Sequence, residues 1–152
     1  MMKRSILLIF TVLFTLSACN KPKVIVEKRY VFPENNWNNE ERIVTYKATI
    51  DESPNPHKIV MELEHLHKEA ISFPLTMTIK SPDGGTTSRR VNLFIGDDRQ
   101  ADPALAVVEI YPQKYFNTSG EYEFTVLRKW EKYDFYDNKA LTLKIVKMPE
   151  EE

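Results

Sequence analysis

His57-Lys58-Ile59-Val60-Met61-Glu62-Leu63-Glu64-His65-Leu66-His67 alternates: Ile59, Met61 and Leu63 fall on one side of an extended chain, Lys58, Glu62 and Glu64 on the other. Successive side chains of a strand point to opposite faces, so this period of two predicts a half-buried strand. The same period runs through 73–80, with Phe73, Leu75, Met77 and Ile79 on the apolar side, and through 42–50, where Val44, Tyr46, Ala48 and Ile50 oppose Thr45, Lys47 and Thr49. Segments 24–32, 88–95, 104–111, 121–130 and 140–147 carry comparable β-rich patterns and complete a set of about eight strands. Turn chemistry separates them: Ser53-Pro54-Asn55-Pro56, Ser81-Pro82-Asp83-Gly84-Gly85, Gly96-Asp97-Asp98 and Asn117-Thr118-Ser119-Gly120. No long stretch holds a helical period. The prediction is an all-β chain, an antiparallel β-sandwich that is Ig-like or jelly-roll-like, with Tyr46, Leu63, Met77, Leu93, Phe124 and Leu143 buried. Gly120-Glu121-Tyr122-Glu123-Phe124 resembles the Gly-x-Tyr strand openings of such sandwiches, where the phenol bonds to backbone at a sheet corner.

The rest of the chain frames that domain. At 152 residues it holds one domain, and 42% hydrophobic with 11% aromatic content excludes a disordered chain. Residues 1–18 read as a lipoprotein signal peptide: Lys3 and Arg4 supply the positive region, and 6–16 is an apolar run too short to cross a bilayer. Leu16-Ser17-Ala18-Cys19 fits a lipobox, which makes Cys19 the expected lipidation site and the first residue of the mature protein. More than one acyl chain makes such anchoring stable. Cys19 is the only cysteine, so no disulfide staples the fold. The expected organisation is signal peptide 1–18, lipidated tether 19–23, β-sandwich 24–148 and acidic tail 149–152. Surface-export signals in such lipoproteins carry acidic residues just after the cysteine, and Asn20-Lys21-Pro22-Lys23 has none, which favours a periplasm-facing anchor in the cell envelope. Loss of Lys3 and Arg4 with the leader takes the basic count from 21 to 19 against 22 acidic residues, a formal −3, and no basic footprint suggests nucleic acid as a partner.

Candidate sites carry little chemistry. His65-x-His67 on a strand projects two imidazoles to one face, but His57, the remaining histidine, sits beyond the far end of the same strand and supplies no third ligand. Asp97, Asp98 and Asp102 lack the ligand spacing of a calcium loop and read as a solvated connection. There is no Gly-x-Ser-x-Gly, the lone thiol is committed to lipid, and no glycine loop cradles phosphate. The reading is non-enzymatic, with no cofactor or metal. Aromatics among charges are more informative. Trp37, in Asn35-Asn36-Trp37-Asn38-Asn39, is either a plug on the end of the sandwich, the preferred reading, or a contact residue. Trp130, Tyr133, Phe135 and Tyr136 alternate with charges at Lys129, Glu131, Lys132, Asp134 and Asp137, the composition of an interface, and are the candidate partner-contact residues.

These elements, taken in order, carry a resemblance. A lipobox, then Asn35-Asn36-Trp37-Asn38, then Val60-Met61-Glu62-Leu63-Glu64-His65 followed by Phe73-Pro74-Leu75 and Ser81-Pro82-Asp83-Gly84, and finally Ser119-Gly120-Glu121-Tyr122-Glu123-Phe124 look like the gliding-motility lipoprotein GldH family of Bacteroidota. The chain departs from the family after Ile95, which no Gly-x-Trp-x-Gly-like stretch follows, and after Trp130, where Tyr133-Asp134-Phe135 stands in place of a Leu-x-Gly-Ile turn. The resemblance implies a membrane-anchored component of gliding-motility and type IX secretion-associated machinery that docks other envelope proteins. The alternative is a carbohydrate- or small-ligand-binding sandwich using Trp37 or Trp130 as a stacking platform.

Overall fold

The computed structural model describes residues 21–38, 43–96, 104–129 and 134–150. The expected lipidation site Cys19, the loop acids Asp97, Asp98 and Asp102, and the aromatics Trp130 and Tyr133 lie outside these residues. The described chain forms eight strands: β1 (Lys23–Val31), β2 (Ile43–Ile50), β3 (His57–His65), β4 (Ile71–Lys80), β5 (Thr86–Ile95), β6 (Ala104–Lys114), β7 (Gly120–Arg128) and β8 (Asn138–Lys147). Among the described residues the helical content is a single turn of 3-10 helix, Pro33–Asn35.

The strands form two four-stranded sheets, ordered β1-β8-β3-β6 and β2-β7-β4-β5, and every pairing is antiparallel. Of the strands adjacent in sequence only β4 and β5 pair as a hairpin, so the other connections pass from one sheet to the other. That is the order of a jelly roll, and it separates the fold from the immunoglobulin-like alternative. The inward rows match the sequence pattern. In β3, Ile59, Met61 and Leu63 are fully buried, in β8 Leu141, Leu143 and Ile145, and across the interior Leu75, Met77, Phe124 and Val126 meet them. All six side chains expected in the core, Tyr46, Leu63, Met77, Leu93, Phe124 and Leu143, are buried. Tyr46 carries a hydroxyl into this apolar layer and satisfies it across the sandwich, donating to the Leu141 carbonyl at 2.6 Å. Burial holds its phenol above the usual range, so it stays a donor.

Strand ends sort into two poles. At the near pole β1 begins opposite the end of β8, Lys23 against Lys147. The turns after β2, β4 and β6 gather there, with Ser53 N–H donating to the Phe116 carbonyl at 3.1 Å and Met148 N–H to that of Pro56 at 2.9 Å. Tyr122 closes one corner as its sequence context predicts, its hydroxyl donating to the Thr118 carbonyl at 2.6 Å. At the far pole the connections after β1, β3, β5 and β7 leave the sheets, tied by Phe32 N–H to the Lys139 carbonyl, Trp37 N–H to Phe135 and Leu66 N–H to Asp137.

Candidate functional site

Aromatic side chains close the far pole from inside. Trp37 is fully buried, stacked on Phe32 with ring centroids 4.9 Å apart, and meets Phe73 edge-on at 6.1 Å. Phe135 packs edge-on against Phe73 at 5.0 Å and is itself buried. Two buried amides hold the layer. Asn36 donates to Asp134 Oδ1 at 3.1 Å and accepts from Phe135 N–H at 3.0 Å; Asn138 donates to the carbonyls of Phe135 at 2.7 Å and Tyr136 at 3.2 Å. This arrangement corrects part of the expected contact set. Trp37 is the plug on the end of the sandwich, and Phe135 is likewise a core residue with no surface to offer a partner, because the buried amides of Asn36 and Asn138 bond the backbone around the rings. Tyr136 is 56% exposed and keeps its place on the surface.

The histidine pair belongs to the same plug. His65 Nδ1 accepts the His67 N–H at 3.2 Å, His67 Nε2 lies 2.9 Å from Asn138 Oδ1, and the His67 ring rests on Phe135 at 5.1 Å. Asn138 Oδ1 is an acceptor, which assigns the His67 Nε2 proton. Among the described residues no three His, Cys, Asp or Glu side chains converge as a metal site, and no Ser or Thr hydroxyl is hydrogen-bonded to a histidine. Glu62 and Glu64 share one outer face, but each already has a cation. Lys144 Nζ is 2.9 Å from Glu62, and Arg29 grips Glu64 with two bonds of 2.7 and 3.1 Å. Arg29 holds the Glu64 carboxyl below its ordinary range.

No family model matches the chain, and no curated protein sequence matches it. Among solved structures it is similar to a chain in the structure of the infectious bursal disease virus Gt strain, at 9% identity and a TM-score of 0.40, over 86% of this chain and 34% of that one.

Exposed apolar side chains remain at or toward the far pole. Phe94 near the end of β5, 68% exposed, and Leu105 and Val107 at the start of β6 stand on edge strands that lie against each other across the two sheets. Val31, Ile43 and Tyr136 add exposed surface at the ends of β1, β2 and the segment before β8. The near pole also exposes Val24, Ile25 and Tyr115. A cleft of about 240 Å³ opens between the two sheets, lined by Ser81, Asp83, Thr87, Lys114, Tyr115 and Asn117 among others. Asp83 is occupied by its own turn, accepting from Ser81 Oγ and Gly85 N–H, and these bonds hold its carboxyl below the usual range. The cleft offers a cation, an amide, hydroxyls and the half-exposed Tyr115 ring, which suits a polar ligand. Its residues come from turns far apart in sequence, so no local motif announces it.

Proposed function

We propose that this protein is a non-enzymatic, lipid-anchored lipoprotein of the cell envelope that docks other envelope proteins, as a component of gliding-motility and type IX secretion-associated machinery. The observation that carries the docking role is the set of exposed apolar side chains toward the far pole. The chain enters at Lys23 on the near pole, four residues after Cys19, while Phe94, Leu105, Val107 and Tyr136 are exposed toward the opposite pole. An anchored domain built this way presents its apolar contact surface away from the membrane. Apolar and aromatic side chains supply the contact area of protein interfaces, with charges at the rim. The resemblance in sequence order to the gliding lipoproteins supplies the machinery.

Site-specific photocrosslinking in living cells tests it. A crosslinker at Phe94, Leu105 or Tyr136 captures subunits of the gliding or secretion assembly, and one at Lys47, on the exposed face of β2, does not. Deletion of the gene then stops surface spreading or cargo secretion. Intact motility and secretion, with no crosslink from the far pole, would sink the proposal.

The cleft favours one second reading, capture of a small polar or sugar-like ligand at Lys114, Tyr115 and Asn117. Trp37 does not serve as its platform, being buried. Calorimetry against envelope glycans with wild type and Asn117→Ala distinguishes it: binding lost in the variant supports this reading.

A further inference from the structure

The last register row of the β1-β8-β3-β6 sheet carries three lysines and the buried His57. Lys23 faces Lys147, Lys147 faces His57, and His57 faces Lys114. Lys23 and Lys147 are directly opposed like charges, which repel, and a fold tolerates such a pair only where water or an anion receives it. Elsewhere on this sheet lysines are paired, Lys144 with Glu62 and Glu27, and Lys58 with Glu109. Among the described residues Lys23, Lys114 and Lys147 make no ion pair, and neither does the exposed Lys21 beside them. Exposed Val24 and Ile25 follow Lys23 on β1, and exposed Tyr115 follows Lys114. Cations beside aliphatic and tyrosine surface are the composition of a membrane interface.

Position selects the occupant. The rim is where the chain enters the fold, and four residues from Cys19 to Lys23 reach at most about 14 Å. We infer that this lysine rim seats on the anionic phospholipid headgroups of the membrane that holds the anchor. The inference rests on the lipid-anchor reading above. Among acidic groups at the same pole, Asp51, Glu52, Asp83 and Glu121 sit on the turns and on β7, on the side of the other sheet, while exposed Glu150 follows Lys147 by three residues. The domain therefore leans with the lysine rim down and the acids of the other sheet lifted. Its far pole stands clear of the bilayer.

Vesicle flotation of the mature chain carrying Cys19→Ser tests the rim with no acyl chain contributing. It binds vesicles of phosphatidylethanolamine and phosphatidylglycerol at low salt, releases as salt rises, and ignores vesicles of phosphatidylcholine alone. Each lysine is worth roughly a fivefold change in partition, so Lys23→Gln, Lys114→Gln and Lys147→Gln together lower binding roughly a hundredfold. The control with Lys28→Gln, Lys47→Gln and Lys68→Gln removes the same charge elsewhere and keeps binding. A triple Lys→Arg variant at the rim keeps binding too, which separates loss of charge from loss of fold. Absence of binding to the anionic vesicles, equal binding to neutral ones, or an equal loss in the control overturns the inference. Mass analysis of the native amino terminus stands apart: an unmodified Cys19 would defeat the anchor reading, whatever the vesicles show.

Discussion

Phe135 and Tyr136 are neighbours in sequence with opposite fates. Phe135→Ala removes a ring packed on Phe73 and His67 and should cost about 3–5 kcal/mol of stability, whereas Tyr136→Ala on the surface should stay within about 0.5 kcal/mol. Denaturant midpoints for the two variants check this. The same contrast explains what the sequence hid. A polar stretch around an aromatic looks like surface, yet Asn36, Asp134 and Asn138 are polar because they bond each other and the backbone over a buried ring. Histidines set the acid response. Burial lowers the pKa of His65, helped by His67, and burial lowers that of His57, helped by Lys147 and opposed by the carbonyls of Asn55 and Lys114. The unfolded chain therefore takes up protons first, and stability present above the ordinary histidine value of 6.5 is lost as pH falls toward the folded values. Glu64 and Asp83, also lowered, have the same sign, but their loss begins only below their ordinary values of 4.5 and 3.8. Urea midpoints should thus fall between pH 7.5 and about 5.5, and a His57→Gln, His65→Gln double variant should flatten that slope.

At the scale of elements, period-two alternation made every strand legible and left errors only at the ends. β3 stops at His65 rather than His67 because the His67 N–H turns back to the His65 ring. β6 runs past Pro112 to Lys114, which is allowed because β6 is an edge strand where one side of the ladder needs no donor. Strand order was not legible, since alternation says which face is buried and nothing about which neighbour lies beside it. The near-pole cleft stayed hidden for the same reason. One turn shows how elements lock together. Gly120 opens β7 at φ 144°, and a Cβ there would meet Pro82 Cγ at 2.8 Å and Cβ at 2.9 Å. Gly120→Ala therefore combines backbone strain with a clash and should cost about 2 kcal/mol, and adding Pro82→Gly, which removes both Cγ and Cβ, should relieve the clash but leave the strain. A double-mutant cycle in thermal melts reads the coupling; strictly additive costs would deny the contact between the two turns.

For the molecule as a whole, the most consequential feature is where the last strand sits. β8 pairs with β1 on one side and β3 on the other, so the strand that follows all the others in sequence fills the interior of its sheet. Its Leu141, Leu143 and Ile145 are fully buried, and its backbone receives the Tyr46 hydroxyl. Without it, β1 has no strand partner at all. A chain cut before Asn138 should remain unfolded, with no dispersed amide spectrum and no cooperative melt, where a hairpin-by-hairpin fold would keep part of its structure. Pairings this distant in sequence also make closure slow, on the order of milliseconds to seconds. A polypeptide threaded amino end first through a narrow membrane pore must not collapse on the side it is leaving. Were the chain exported as proposed, β8, the last of the described strands, would keep it threadable until residues 138–147 had crossed.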